Sequence, residues 1–117
     1  MRKKTSTNYH NEKAITTDCP ITATMLAIWG RWKVIMIWNL KNGALRYNEL
    51  RKAIPNISER MLIQQLKDLM ESGWVAKKDY NKIPPPTEYS LTKLGQFFTP
   101  ILDSIYHWGT ENKIMAG

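Results

Sequence analysis

The stretch from residue 58 to residue 91 constrains this chain most. It holds a short amphipathic segment, a Gly stop, and two strand-like runs joined across three consecutive prolines. At about 100° per residue, Leu62, Leu66 and Leu69 fall on one helix face, with Arg60, Gln64, Lys67 and Glu71 almost opposite. That spacing predicts a helix over 59–72. Ser58 stands where its hydroxyl can accept an otherwise unpaired N–H, and Gly73 sits just past the far end. Residues 74–80 read as a strand, 81–86 as a turn, and 87–91 as the returning strand.

Upstream, Cys19-Pro20 marks a helix start, because Pro suits the first turn. A first helix is expected over 21–28, with Ile21, Met25 and Ile28 on one side, ended by Gly30. A second follows over 31–41, with Trp32, Ile35, Met36 and Leu40 inward. Residues 44–46 can pair as an edge strand with the later hairpin. Residues 47–53 form a third helix burying Leu50 and Ile54, and Pro55 stops it. A third helix, a short turn, a polar-faced fourth helix and a basic hairpin are the layout of a winged helix-turn-helix. The fold class is therefore α+β, with flanking N- and C-terminal helices. Residues 1–17 read as a flexible basic arm, 18–112 as the domain, and 113–117 as a tail.

The final helix starts at Thr92, tolerates Gly95 at some cost, and is kinked or restarted by Pro100. Phe97, Phe98, Ile101, Leu102, Ile105 and Trp108 make it more apolar than one face of a small domain needs. This surplus, with Ile21 and Met25 of the first helix, points to a homodimer interface.

A formal charge of +7 over 117 residues permits a polyanionic partner. Its distribution is more telling. Residues 94–117 carry Asp103 and Glu111 against Lys113 alone, so the basic excess lies on the arm and on the half that would face DNA. The single cysteine excludes an intrachain disulfide. No signal-peptide pattern follows the basic N-terminus, and no apolar run approaches the length of a membrane span. A soluble cytoplasmic protein is expected, with no membrane partner.

Double-stranded DNA is the partner these residues suit. Ser58, Glu59, Arg60 and Gln64 lie in the half of the fourth helix that enters the major groove. Arg matches guanine, Gln adenine, and Glu accepts from cytosine. Ile63 flanks them and can meet a thymine methyl, while Lys67 suits phosphate. Arg46, Tyr47 and Arg51 surround the third helix, placed for the DNA backbone. On the hairpin, adjacent Lys77 and Lys78 face opposite ways, which leaves Lys82 at the turn as the wing contact. The rival reading is a winged-helix protein-interaction module whose polar face docks a protein. An enzyme has nothing to stand on: His10 and His107 are isolated, and no catalytic set or phosphate loop is present. No metal or cofactor is expected. Cys19 at a helix N-terminus reads either as a small buried hydrophobe or as a sensing thiol.

Several separated motifs carry a family resemblance. They are Cys19-Pro20, Gly30-Arg31-Trp32-Lys33, Arg46-Tyr47-Asn48-Glu49-Leu50, Ile57-Ser58-Glu59-Arg60-Met61-Leu62, Gln64-Gln65-Leu66-Lys67-Asp68-Leu69 and Glu88-Tyr89-Ser90-Leu91-Thr92-Lys93-Leu94-Gly95. From Cys19 to Trp108 the chain closely resembles the HxlR-type family of bacterial transcriptional regulators. The resemblance implies a winged-helix homodimer, related in fold to MarR-type regulators, that binds an inverted-repeat operator. It also implies a dimer built from the N- and C-terminal helices, and more often a repressor than an activator. Several relatives sense electrophiles or oxidants through a cysteine matching Cys19, by thiol modification or an intersubunit disulfide. Two departures stand out. Pro86 occupies a wing position that is often basic, and no second cysteine is present to pair with Cys19 inside one subunit.

Overall fold

The computed structural model describes residues 19–80 and 87–115. The expected arm and the expected wing contact Lys82 lie outside them. Two compact units divide the chain, Met1–Gly30 and Arg31–Gly117.

In the first unit, helix α1 spans Pro20–Ala27, with Cys19 as N-cap and Pro in the first turn. No residue within α1 is buried, and Ile21 and Met25 are exposed. Gly30 adopts a φ of 106°, a left-handed conformation that stops the helix.

In the second unit, α2 (Arg31–Leu40) precedes β1 (Leu45–Arg46), α3 (Tyr47–Ala53), α4 (Glu59–Glu71), β2 (Val75–Asp79), β3 (Thr87–Leu91) and α5 (Lys93–Glu111). The three strands form one antiparallel sheet in the order β1-β3-β2. Leu45 lies opposite Tyr89, and Val75 opposite Leu91. The two-residue strand before α3 is thus the expected edge of the wing sheet.

Leu50, Ile54, Leu62, Leu66 and Leu69 are fully buried, as the helical spacing requires. On α2 the expected stripe shifts. Met36, Ile37 and Leu40 are buried, while Trp32 and Ile35 are only half-covered. The reason is that α2 packs against α3, α4, α5 and β3 together, so its covered surface is wider than one stripe. Between α3 and α4, Asn56 takes a left-handed φ of 70°, which a short polar side chain tolerates.

The end of α4 is a Schellman stop. Gly73 at φ 84° donates its N–H to Met70 O, and Trp74 donates to Leu69 O at 2.9 Å. Trp74 then enters the core and meets Phe98 edge to face, with ring centroids 5.2 Å apart. Phe98 is 8% exposed, whereas Phe97 beside it is 72% exposed. This corrects the expectation that Phe98 belongs to a dimer interface: its ring is consumed by the core of its own chain.

Two expectations for α5 also change. The helix does not restart at Pro100 but continues through it. The carbonyl of Gln96, which Pro100 has no N–H to satisfy, instead accepts from the Thr99 hydroxyl at 2.8 Å. Gly95 is not merely tolerated. A Cβ there would lie 2.6 Å from the Trp74 carbonyl oxygen and about 3.0 Å from the Leu91 side chain. Gly95→Ala should cost roughly 1–3 kcal/mol through overpacking, seen in urea as a lower midpoint at unchanged slope. Gly109→Ala on the same helix, where nothing lies within 4 Å, should instead be neutral or stabilising.

Candidate nucleic-acid interface

The polar face of α4 is built from its N-terminus. Ser58 caps the helix, its Oγ accepting from Met61 N–H at 3.1 Å. The leucines opposite fix the rotation, leaving Arg60, Ile63, Gln64 and Lys67 exposed together on the outer side. Gln64 is oriented from below, since its Nε2 donates to Asp68 Oδ1 at 3.0 Å. Asp68 in turn meets Lys33 Nζ at 3.4 Å, and the same ammonium donates to Gln65 Oε1 at 2.7 Å. Lys33 is half-buried and ties α2 to α4. Sequence reasoning missed it, because its partners lie more than thirty residues away and no local periodicity marks such a link.

Arg46 ends β1 and serves as N-cap of α3. Its N–H donates to Glu49 Oε1 at 2.8 Å, and its side chain is exposed. Arg51 and Glu59 are exposed and lie 3.6 Å apart, so two expected DNA contacts hold each other in the free protein. Such a surface pair contributes little to stability and opens readily.

Tyr47 departs from expectation. Its hydroxyl oxygen is buried and has no hydrogen-bond partner, so it presents no donor to a phosphate. Loss of solvent raises the phenol pKa, and the Glu59 carboxylate raises it further against the opposing charge of Arg51.

The base of the wing is clamped on both sides of residues 81–86. The Thr87 hydroxyl donates to Asp79 Oδ1, and the Tyr80 hydroxyl donates to Glu88 Oε1, each at 2.6 Å. The second bond holds the Tyr80 pKa above its ordinary value. Lys77 and Lys78 are both exposed on β2, with Lys78 Nζ 5.1 Å above the Tyr80 ring.

Along α5, Ile101, Ile105 and Trp108 are exposed with Phe97. The inner side of the helix is held to α2 by Trp38 stacked on Tyr106 at 5.4 Å. Lys41 lies 3.7 Å above the Trp38 ring and 3.2 Å from Asp103. An apolar cavity of about 220 Å³ lies beside this stack, lined by Val34, Ile35, Trp38, Leu102, Ile105 and Tyr106.

No helix among the described residues is long and apolar enough to cross a membrane, and none of their His, Cys, Asp and Glu side chains gather into a metal site.

Residues 27–115 match the profile of the HxlR-like helix-turn-helix. The chain belongs to that family. It is 45% identical over 92 residues to the uncharacterized HTH-type transcriptional regulator YkvN of Bacillus subtilis (strain 168), covering 79% of this chain and 78% of YkvN. Among solved structures, a regulator from Porphyromonas gingivalis W83 ascribed to the MarR family superposes with a TM-score of 0.77 at 40% identity, covering 95% of this chain and 99% of that one. The redox regulator HypR in its reduced form superposes with a TM-score of 0.77 at 38% identity, covering 81% and 94%. This HxlR-like protein is thus a transcriptional regulator with a winged helix-turn-helix DNA-binding fold.

Cys19 is half-buried at the start of α1. Its thiol pKa is lowered, first by the Thr22 backbone N–H and then by that of Ile21, which favour the thiolate without closing a regular side-chain cap. Because the thiolate is the reactive form, Cys19 alkylation by iodoacetamide should rise with pH through a midpoint below that of an unstructured cysteine peptide. A midpoint at or above the peptide value would remove the helix N-terminus as an activating influence.

Proposed function

We propose that the protein binds an inverted-repeat operator as a homodimer, reads it with α4, and represses by occluding a promoter. The observation that carries this reading is the outer face of α4. Arg60, Ile63, Gln64 and Lys67 stand exposed on one side of a helix whose other side is locked into the core. Arg60 suits guanine O6/N7, Gln64 suits adenine, and Ile63 can meet a thymine methyl. Lys67, Arg46 and Arg51 supply phosphate contacts around them. Ser58 fixes the helix start, and Glu59 stands nearby as an acceptor for a cytosine amino group.

The dimer reading is supported by the apolar residues each unit leaves outside. Ile21 and Met25 are exposed on α1, and Phe97, Ile101, Ile105 and Trp108 on α5. Such residues are costly to leave in water and fit a second copy of the chain. Two reading helices must then meet half-sites about one DNA turn, roughly 34–36 Å, apart. Cys19 is the proposed sensing residue, supported by its lowered pKa and by the likeness to HypR, a redox regulator. Modification there would act through α1 on that spacing.

Operator selection from a genomic fragment library tests the reading directly. On a selected site, Arg60→Ala or Gln64→Ala should cost about 1–3 kcal/mol and relax preference at particular positions. Lys67→Ala should weaken all sequences alike and lower the salt slope by about one. Unchanged operator affinity in both Arg60→Ala and Gln64→Ala would remove α4 as the reader.

Ile101→Glu combined with Ile105→Glu should give monomer or aggregate in sedimentation. A folded dimer carrying both changes would place the interface elsewhere.

A further inference from the structure

Gln64 and Gln65 stand side by side on α4, and each is held by a group that bonds in only one sense. Gln65 Oε1 accepts from Lys33 Nζ at 2.7 Å, while its Nε2 lies 3.3 Å from Met61 Sδ. Gln64 Nε2 donates to Asp68 Oδ1 at 3.0 Å. The other carboxylate oxygen, Oδ2, faces the same Lys33 ammonium at 3.4 Å. The Lys33 side chain is 14% exposed and that of Asp68 37%. The ammonium therefore sits within the contact between α2 and α4, beneath the polar face rather than on it.

The polarity of this chain of bonds bears on readout. An ammonium only donates, and an ionised carboxylate only accepts. Asp68 can thus take only the amino end of the Gln64 amide, whose last torsion is otherwise soft. That turns the amino group towards Asp68, one helical turn further along, and leaves Oε1 as an acceptor for a base. The second N–H of the amide remains available as a donor. Glutamine reads adenine by accepting from N6 and donating to N7, so the order of its two ends decides whether both bonds form together. Asp68 alone is a poor anchor. A part-exposed carboxylate is drawn to water, and its charge opposes DNA. Lys33 holds it in place and balances that charge from inside the protein.

We infer that Lys33 is a positioning residue for sequence readout, which through Asp68 fixes the sense of the Gln64 amide and sharpens preference at the base pair Gln64 meets. The inference rests on the reading of α4 as the DNA-contacting helix. A lysine that only stabilised the fold would affect every operator position alike. The mark of the relay is a loss of discrimination at one position.

The test uses the full chain and an operator selected by the wild-type protein. The position read by Gln64 is the one whose preference Gln64→Ala removes. Discrimination there is the ratio of affinities for the preferred base pair and its replacements, and the position identified by Arg60→Ala serves as internal reference. Lys33→Met, similar in length but uncharged, should lower discrimination at the Gln64 position roughly three- to tenfold, part of the cost of a mismatched base pair. The ratio at the Arg60 position should not change. Asp68→Asn offers a donor as well as an acceptor, so the amide can turn over, and the same local loss is expected. This variant keeps the side-chain shape and carries the test if Lys33→Met unfolds. In the Gln64→Ala background neither change should alter the ratio further. Undiminished discrimination in Asp68→Asn, equal losses at the two positions, or a loss that persists in the Gln64→Ala background would overturn the relay. A wild-type protein that selects no operator would overturn the DNA-binding reading itself. An operator on which Gln64→Ala changes no preference would remove Gln64 as a reader and the relay with it, while DNA binding stands.

Discussion

The junction at Trp74 is the constraint on which the helix-turn-helix, the wing and the last helix all depend. Its N–H closes the Schellman stop of α4 on Leu69 O, and its carbonyl accepts the Thr92 N–H at 3.1 Å. Its ring packs edge to face on Phe98. The Thr92 hydroxyl donates to Gly73 O at 2.6 Å and accepts from Gly95 N–H at 3.3 Å. One residue thus fixes the end of α4, the start of β2, the end of β3 and the first turn of α5. Gly95 is what lets the α5 backbone come close enough to the Trp74 carbonyl for these bonds to form together. Loosening that point would free the hairpin and α4 at once, although neither contains the residue.

From this junction the charge pattern follows. Leu62, Leu66 and Leu69 set the rotation of α4, and Lys33 reaches across from α2 to neutralise Asp68, which in turn orients Gln64. Of the acids on α4, Asp68 is therefore held by Lys33 and Glu59 by Arg51. The two pairs differ in kind. Lys33 is half-buried and makes a second hydrogen bond to Gln65, so its link acts as scaffold. The Arg51–Glu59 pair is exposed at both ends and contributes little to stability.

Local pattern was a good guide where one face of an element meets one neighbour. The period of α4, the cap at Ser58, the glycine at 73 and the pairing of residues 45–46 with the hairpin were all legible. The pattern misled where an element touches several neighbours. Ile37 is buried because α2 is covered from several directions, and a single-stripe reading admits only part of that surface. Phe97 and Phe98 could not be told apart by composition. Which of two adjacent rings is free depends on where Trp74 arrives, and that depends on a contact twenty-four residues back along the chain.

The sequence by itself determined the order of elements, the stops between them and the set of polar residues that α4 turns outward. These are properties of short windows, in which periodicity, capping and backbone freedom act within a few residues. Only the tertiary structure decided which of those residues are available and which are engaged. Arg51 is paired with Glu59, Gln64 is oriented through Asp68 by Lys33, and the Tyr47 hydroxyl is buried where a surface donor was expected. The physical reason is that hydrogen bonds and ion pairs act over a few ångströms of space. Residues that are close in space are set by the packing of the whole unit, to which the spacing of letters along a chain gives no direct measure.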